Sequence, residues 1–242
     1  MDVFDLTRNT LDRRFLRQVN TCVQCESDYA ENTITTWQQQ GYYVAGVTGT
    51  FDLLTLNHAF SLIQDRVLAS AYALELTNQE NLTESECDQI WRFASSNQLK
   101  LLVSIDTNQA TAQSKSGQAE KASIKRPILD WENRARLVSL IAMPSYQRNE
   151  PARFVADNVT AHGKGACKIH TDCLVQQPDY EIFMLKPDVT IIKDRYDKGK
   201  QLRHYQLPNI VTFSETHDPY SDALLGDTIS TTNIVRSILN SK

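Results

Sequence analysis

Apolar positions along this chain follow two alternating patterns. Short continuous apolar runs closed by turn residues give way to stretches in which apolar side chains recur every three or four positions. "YYVAGVTG" (42–49) is a run closed by glycine and reads as a buried strand. Leu56, Phe60, Ile63, Val67, Ala71 and Leu74 follow at spacings of three and four, which predicts an amphipathic helix of about five turns. "NLTESECDQIWRFASSN" (81–97) has a cap-like start and a helical period, and "LKLLVSID" (99–106) is a second buried strand. "TNQATAQSKSGQAEKASIKRP" (107–127) reads as a polar loop, and "ILDWENRARLVSLIAM" (128–143) as a helix stopped by Pro144. Residues 145–177 carry no clear period. "DYEIFMLKP" suggests a short helix, "DVTIIKD" (188–194) and "NIVTF" (209–213) are strands, and "STTNIVRSILNSK" is a closing helix. Before all of these, Leu11, Phe15 and Val19 recur every four residues and "ENTITTWQQQG" ends in a glycine stop, so residues 1–40 read as helical.

Continuously apolar strands separated by helices predict a parallel sheet buried on both sides. The expected class is α/β: a Rossmann-like parallel sheet with helices on both faces, plus an N-terminal helical extension. Residues 1–41 form that extension. Residues 42–242 form the main domain, with insertions near 78–98 and 145–177. In open sheets of this kind ligands sit at the carboxyl ends of the strands, where the strand order reverses. The glycine turn after the first strand, the polar loop after the second and "KDRYDKGK" after a later one all lie at such ends.

The chain has 242 residues, 41% hydrophobic and 22% charged, with a formal net charge of −4. That supports a sizeable core and excludes a broad nucleic-acid-binding surface, while leaving room for a local basic pocket. No apolar run reaches the roughly 18 residues needed to span a bilayer. The charged start "MDVFDLTRNTLDRRFLRQ" lacks the apolar region of a secretory signal, so the expectation is a soluble cytoplasmic protein that does not engage a membrane. Five cysteines do not pair into a disulfide framework. Cys22 and Cys25, with Cys167, His170 and Cys173, offer enough thiolates and imidazole for a tetrahedral zinc site; ordinary free thiols are the alternative.

The most informative stretch is "TGTFDLLTLNH". Gly49 permits a sharp turn and close approach of backbone to a ligand. A helix starting just beyond it presents unpaired N–H groups and a partial positive charge, which suit phosphate. Thr55 and His58, three residues apart at that start, supply hydroxyl and imidazole donors. The alternative is a threonine that only caps the helix and a histidine that only faces solvent.

This stretch resembles the signature of the cytidylyltransferase-like nucleotidyltransferase superfamily, G-x-F-D followed by (T/H)-x-G-H. Gly49, Thr50, Phe51 and Asp52 fit the first half; Thr55, Leu56, Asn57 and His58 fit the second except at Asn57, where the family has glycine. The threonine form is similar to the pantetheine-phosphate adenylyltransferase branch. "KRPILDWENRARLVSLI" resembles the family's R-P…E-x-R-A…L helix, with Arg134 at the arginine position. "LKPDVTIIKDRY" resembles a segment of the heptose-phosphate branch, with Lys193 on the lysine and the glycines missing. "DTISTTNIVRSIL" resembles the I-S-S/T-T-x-I-R motif. The four matches come in the family's order across about residues 42–240.

The resemblance implies transfer of a nucleotidyl group from CTP or ATP to a small phosphorylated metabolite, a sugar phosphate among the candidates, with release of pyrophosphate. It implies catalytic roles for His58 and Thr55 at the α-phosphate and for Lys115 at the substrate phosphate. It implies nucleotide contacts from Gly49, Thr50, Phe51, Asp52, Asn57, Arg134 and Lys193, with Ser230, Thr231 and Thr232 cradling the β- and γ-phosphates. Magnesium would enter with the nucleotide, since the sequence shows no dedicated carboxylate cage. Taken singly, Arg134 has an alternative partner in Asp130 across one helical turn, and Ser230–Thr232 an alternative role as a helix cap. Asn57 and the missing glycines keep a second class open: a catalytically silent nucleotide-binding or protein-interaction module built on the same fold. The base, the acceptor and assembly into a homo-oligomer stay open.

Overall fold

The computed structural model describes residues 27–76, 82–116, 126–143, 153–162, 186–193 and 210–213. Its centre is a five-stranded sheet in the order β5-β2-β1-β6-β7, every neighbouring pair parallel. The strands are β1 (Tyr43–Gly49), β2 (Leu99–Asp106), β5 (Asn158–His162), β6 (Val189–Lys193) and β7 (Ile210–Phe213). The chain lays β2 and β5 down on one side of β1, then returns to lay β6 and β7 on the other, so the order reverses between β1 and β6. This is the Rossmann-like α/β arrangement.

Alternation along the strands divides the sheet into two faces. Ala45, Val47, Leu101, Val103, Ile105, Val159, Val189 and Ile191 belong to the main core. Onto them pack α2 (Leu56–Ala73), α3 (Glu84–Ser95) and α5 (Trp131–Ser139), through Leu62, Leu68, Ala69, Ala94, Trp131, Ala135 and Val138. Each large side chain buried here contributes roughly 1.5–3 kcal/mol of transfer free energy. On the opposite face α1 (Ser27–Gln39) brings Ile34 and Trp37 against Val44 and Leu102.

Among the described residues, Arg66 and Arg134 are the largest side chains with no exposed surface. Arg66 lies on the core face of α2, among Leu62, Asp65 and Ala69. Its Nε donates to Ala94 O at 2.6 Å, Nη2 to Leu99 O at 2.9 Å, and Nη1 to Val155 O and to Asp157 Oδ2, both at 2.7 Å. One guanidinium thereby joins the end of α3, the start of β2 and the turn before β5. The apolar stripe read from the sequence is rotated relative to this face: Leu56 is 53% exposed, and an arginine stands at the centre of the buried side.

Three sequence expectations are revised. Residues 108–116 of the supposed polar loop form a helix, α4 (Asn108–Ser116), whose first turn is held by Ala110 N–H on Thr107 Oγ1 and Thr111 N–H on Thr107 O. The helix expected over 128–143 is shorter. Asp130 caps it by accepting from Asn133 N–H at 2.8 Å, and it stops at Leu140. Ala142–Met143 (β3) then pair antiparallel with Arg153–Phe154 (β4), which buries Met143. The unassigned stretch 145–177 holds β4 and the sheet's edge strand β5. Residues 1–26, the short helix expected near 180 and the closing helix lie outside the described residues. No helix among the described residues is long and apolar enough to cross a membrane.

Candidate functional site at the carboxyl end of the sheet

After β1 the chain takes six residues to reach α2. Thr55, in extended conformation, is the N-cap. His58, in the first turn, reaches back so that Nδ1 accepts from the Thr55 backbone N–H at 3.1 Å, with Thr55 Oγ1 at 2.8 Å. Histidine thus fills the role that glutamate usually has in a capping box. Because Nδ1 accepts an N–H bond, the neutral ring carries its proton on Nε2. Of the sequence alternatives, the structure shows the capping role for Thr55, and it turns the His58 ring back onto that cap.

Phe51 sets the ring from its other side. It is 6% exposed, and its ring meets the His58 imidazole edge-on with centroids 5.6 Å apart. Its φ is +47°, a left-handed conformation that is strained for an aromatic residue. The sequence assigned the sharp turn to Gly49, but the left-handed residue is Phe51. Gly49 has a different part. A Cβ there would lie 2.7 Å from Phe51 Cε2 and 2.9 Å from Cζ, so glycine leaves the space that the phenyl ring fills.

The remaining residues of the motif hold the turn. Thr50 Oγ1 donates to Asp106 Oδ2 at 2.8 Å, tying the end of β1 to the end of β2. Asp52 is 3% exposed; its Oδ1 accepts from Ile128 N–H at 2.6 Å and its Oδ2 pairs with Arg126. Arg134 Nη1 donates to Thr50 O at 2.6 Å, Nη2 to Asn108 Oδ1 at 3.1 Å and Nε to Leu129 O at 3.1 Å. Burial pushes the Arg134 guanidinium down from its ordinary range, and Asp106, Asp52 and Asp130 oppose that shift. Arg134 and Asp52, expected to touch nucleotide, are thus placed as buried braces around the residues that line the turn.

Asn57 occupies the first turn of α2 without a left-handed φ. A glycine here would give space, not backbone freedom. Asn57 Oδ1 is buried without a hydrogen-bond partner. Lys193 ends β6; carrying the register Gly46↔Thr190 three residues further sets it level with Gly49, across the point where the strand order reverses. Lys115 lies in α4, away from the loop expected there. Ser230, Thr231 and Thr232 fall outside the described residues, as do Cys22, Cys25, Cys167, His170 and Cys173. Among the described residues no group of three or more His, Cys, Asp and Glu could hold a metal ion.

No protein-family model matches this chain, and no curated protein matches it.

Sequence reasoning missed Asp106, Asn108 and Arg126. Asp106 and Asn108 bracket Thr107 directly after β2, so their signal was a polar "DTN" at a strand's carboxyl end. Arg126 lies in the stretch 107–127 that reads from the sequence only as a polar loop.

Proposed function

We propose that this chain is a nucleotidyltransferase of the cytidylyltransferase-like kind, acting on CTP or ATP and a small phosphorylated acceptor. The observation that carries the reading is the seating of the His58 ring, whose Nδ1 accepts from the Thr55 N–H. An imidazole with its proton on Nε2 is held at a helix N-terminus, beside the carboxyl end of β1, where the strand order reverses. In the reaction an oxygen of the acceptor phosphate attacks the α-phosphorus. The bond from the α-phosphorus to the bridging oxygen breaks, and pyrophosphate leaves with that electron pair. Negative charge grows on the non-bridging oxygens. The need is for positioned donors, which His58 and the first-turn N–H groups of α2 supply, with no covalent nucleophile. Lys193 closes β6, the neighbouring strand, and on this reading its charge adds positive potential. Any magnesium would be held chiefly by the triphosphate itself.

A second reading is favoured by Asn57 and by the bracing role of Arg134: a module of this fold that binds nucleotide without turning it over. Pyrophosphate release, measured with CTP and ATP against sugar phosphates, phosphopantetheine and nicotinamide mononucleotide, decides between them. The expected result is turnover with one such pair, lowered roughly 10²–10³-fold by His58→Ala. Nucleotide binding without turnover on any acceptor selects the silent module. Turnover unaffected by His58→Ala rules out the proposed role of the imidazole.

A further inference from the structure

An aromatic residue keeps a left-handed φ only where its surroundings over-determine it, and around Phe51 they do so from both sides. On the amino side, the Thr50 carbonyl accepts from Arg134 Nη1 at 2.6 Å, and Thr50 Oγ1 donates to Asp106. On the carboxyl side, Asp52 Oδ1 accepts from Ile128 N–H at 2.6 Å and from Leu129 N–H at 3.3 Å, while Oδ2 pairs with Arg126. The φ of Phe51 is a rotation between these two held groups. Turning it back to the ordinary negative range swings either the Thr50 peptide off Arg134 or the Asp52 carboxylate off its partners.

The Arg134 hold on Thr50 and every hold on Asp52 come from one short stretch, residues 126–134. Leu129 closes them into a circuit. Its N–H donates to Asp52 Oδ1, its carbonyl accepts from Arg134 Nε at 3.1 Å, and Arg134 Nη1 returns to Thr50 O. The stretch is itself anchored, because Asp130 caps α5 and the Arg134 N–H in the first turn bonds Asp130 O at 3.1 Å. The enclosed Phe51 ring fills the space beside Gly49 and meets His58 edge-on. The imidazole therefore has two supports. The Thr55 cap is local to α2; the Phe51 ring depends on residues 126–134. The Asp52 side chain is 2% exposed and that of Arg126 13%, so their pairing is shielded from water. Removing the guanidinium leaves a buried carboxylate without its counter-charge and loosens the seat of Ile128 and Leu129.

We propose that Arg126 and Asp52 are positioning residues for His58, acting through Phe51: the 126–134 stretch latches the turn in its left-handed form, and the latched turn sets the imidazole. Neither residue has to touch substrate. The assignment rests on the nucleotidyl-transfer reading only for the task it gives the imidazole.

Nuclear magnetic resonance of the full chain, labelled at histidine and without ligand, reads the imidazole directly. The signals that disappear in His58→Gln identify it among the five histidines. Arg126→Gln is expected to shift the His58 ring signals more than those of any other histidine, as the imidazole leaves the edge of Phe51. Arg126→Lys keeps the counter-charge and is expected to stay near the wild type. In a Phe51→Gly background the left-handed φ carries no penalty and the ring is gone, so Arg126→Gln is expected to leave the His58 signals in place. On the nucleotidyl-transfer reading, Arg126→Gln also lowers kcat for pyrophosphate release about tenfold, less than loss of the imidazole does, and Arg126→Lys restores most of it. Should Arg126→Gln fail to fold, Asp52→Asn combined with Arg126→Gln removes the pair together and is judged by the same signals. The proposal fails if the His58 signals stay in place, or if they move equally with and without the Phe51 ring. Lost turnover with unmoved His58 signals shows Arg126 touching substrate directly and overturns it as well. Displaced His58 signals in a chain whose wild type turns over no substrate defeat nucleotidyl transfer and leave the positioning standing.

Discussion

At the scale of single residues, the site depends on three side chains in contact: the hydrogen of Gly49, the ring of Phe51 and the imidazole of His58. The strained φ of Phe51 is held because the ring is buried between the glycine and the histidine. Gly49→Ala places a methyl group inside the van der Waals boundary of that ring, so the ring or the strand end must move. The expected cost is about 1–3 kcal/mol, read from denaturant unfolding. Because the cost arises from the ring, Gly49→Ala introduced into a Phe51→Leu background should cost much less, and the double-mutant cycle should show coupling. Additive losses would mean that Gly49 is needed for some other reason, such as the backbone freedom assigned to it from sequence.

At the scale of elements, Arg134 brings the site together. It fastens α5 to the turn after β1 through Thr50 O, and to the start of α4 through Asn108. Lysine keeps the charge but loses the planar fork, so Arg134→Lys should cost roughly 1–3 kcal/mol. It should also raise the KM for nucleotide by loosening the turn. A loss of nucleotide affinity with the melting temperature unchanged would instead show Arg134 touching the ligand directly. The motif residues were legible in the sequence, but their division of labour was not. Thr55 and His58 could be read because a cap and a helical spacing are local. Arg134 and Asp52 were noticed as positions of the resembled motifs, yet their partners, Thr50 O and Ile128 N–H, lie 84 and 76 residues away. Strands β1, β2, β6 and β7 were legible as apolar runs. β5 was not, because Asn158 and Thr160 break the apolar signature of a buried strand.

For the molecule as a whole, the two buried arginines divide stability from function along the strand direction. Arg134 braces the carboxyl end, where the candidate site lies. Arg66 braces the amino end, where Asp157 takes Arg66 on Oδ2 at 2.7 Å, the Leu101 N–H on the same oxygen at 2.9 Å, and Arg153 on Oδ1 at 2.9 Å. Burial pushes the Asp157 carboxyl up, but Arg66, Arg153 and those hydrogen bonds outweigh it and hold the group below the ordinary carboxylate range. A carboxylate more acidic in the folded chain than in the unfolded one favours folding above its unfolded value, about 3.9. That contribution is lost as pH falls through the lower, folded value. Asp157→Asn leaves Arg66 buried without its counter-charge and should cost about 3–5 kcal/mol at pH 7. The gap between the two proteins should narrow steadily below roughly pH 4, where the unfolded carboxyl takes up its proton first, until pH has fallen through the lower, folded value. Unfolding curves collected across this range give both numbers; an equal gap at pH 7 and at pH 3 would show that the aspartate acts through shape and hydrogen bonding instead of charge. Nucleotide affinity, measured where both proteins are fully folded, should be the same in each, because this hub lies at the end of the strands away from His58.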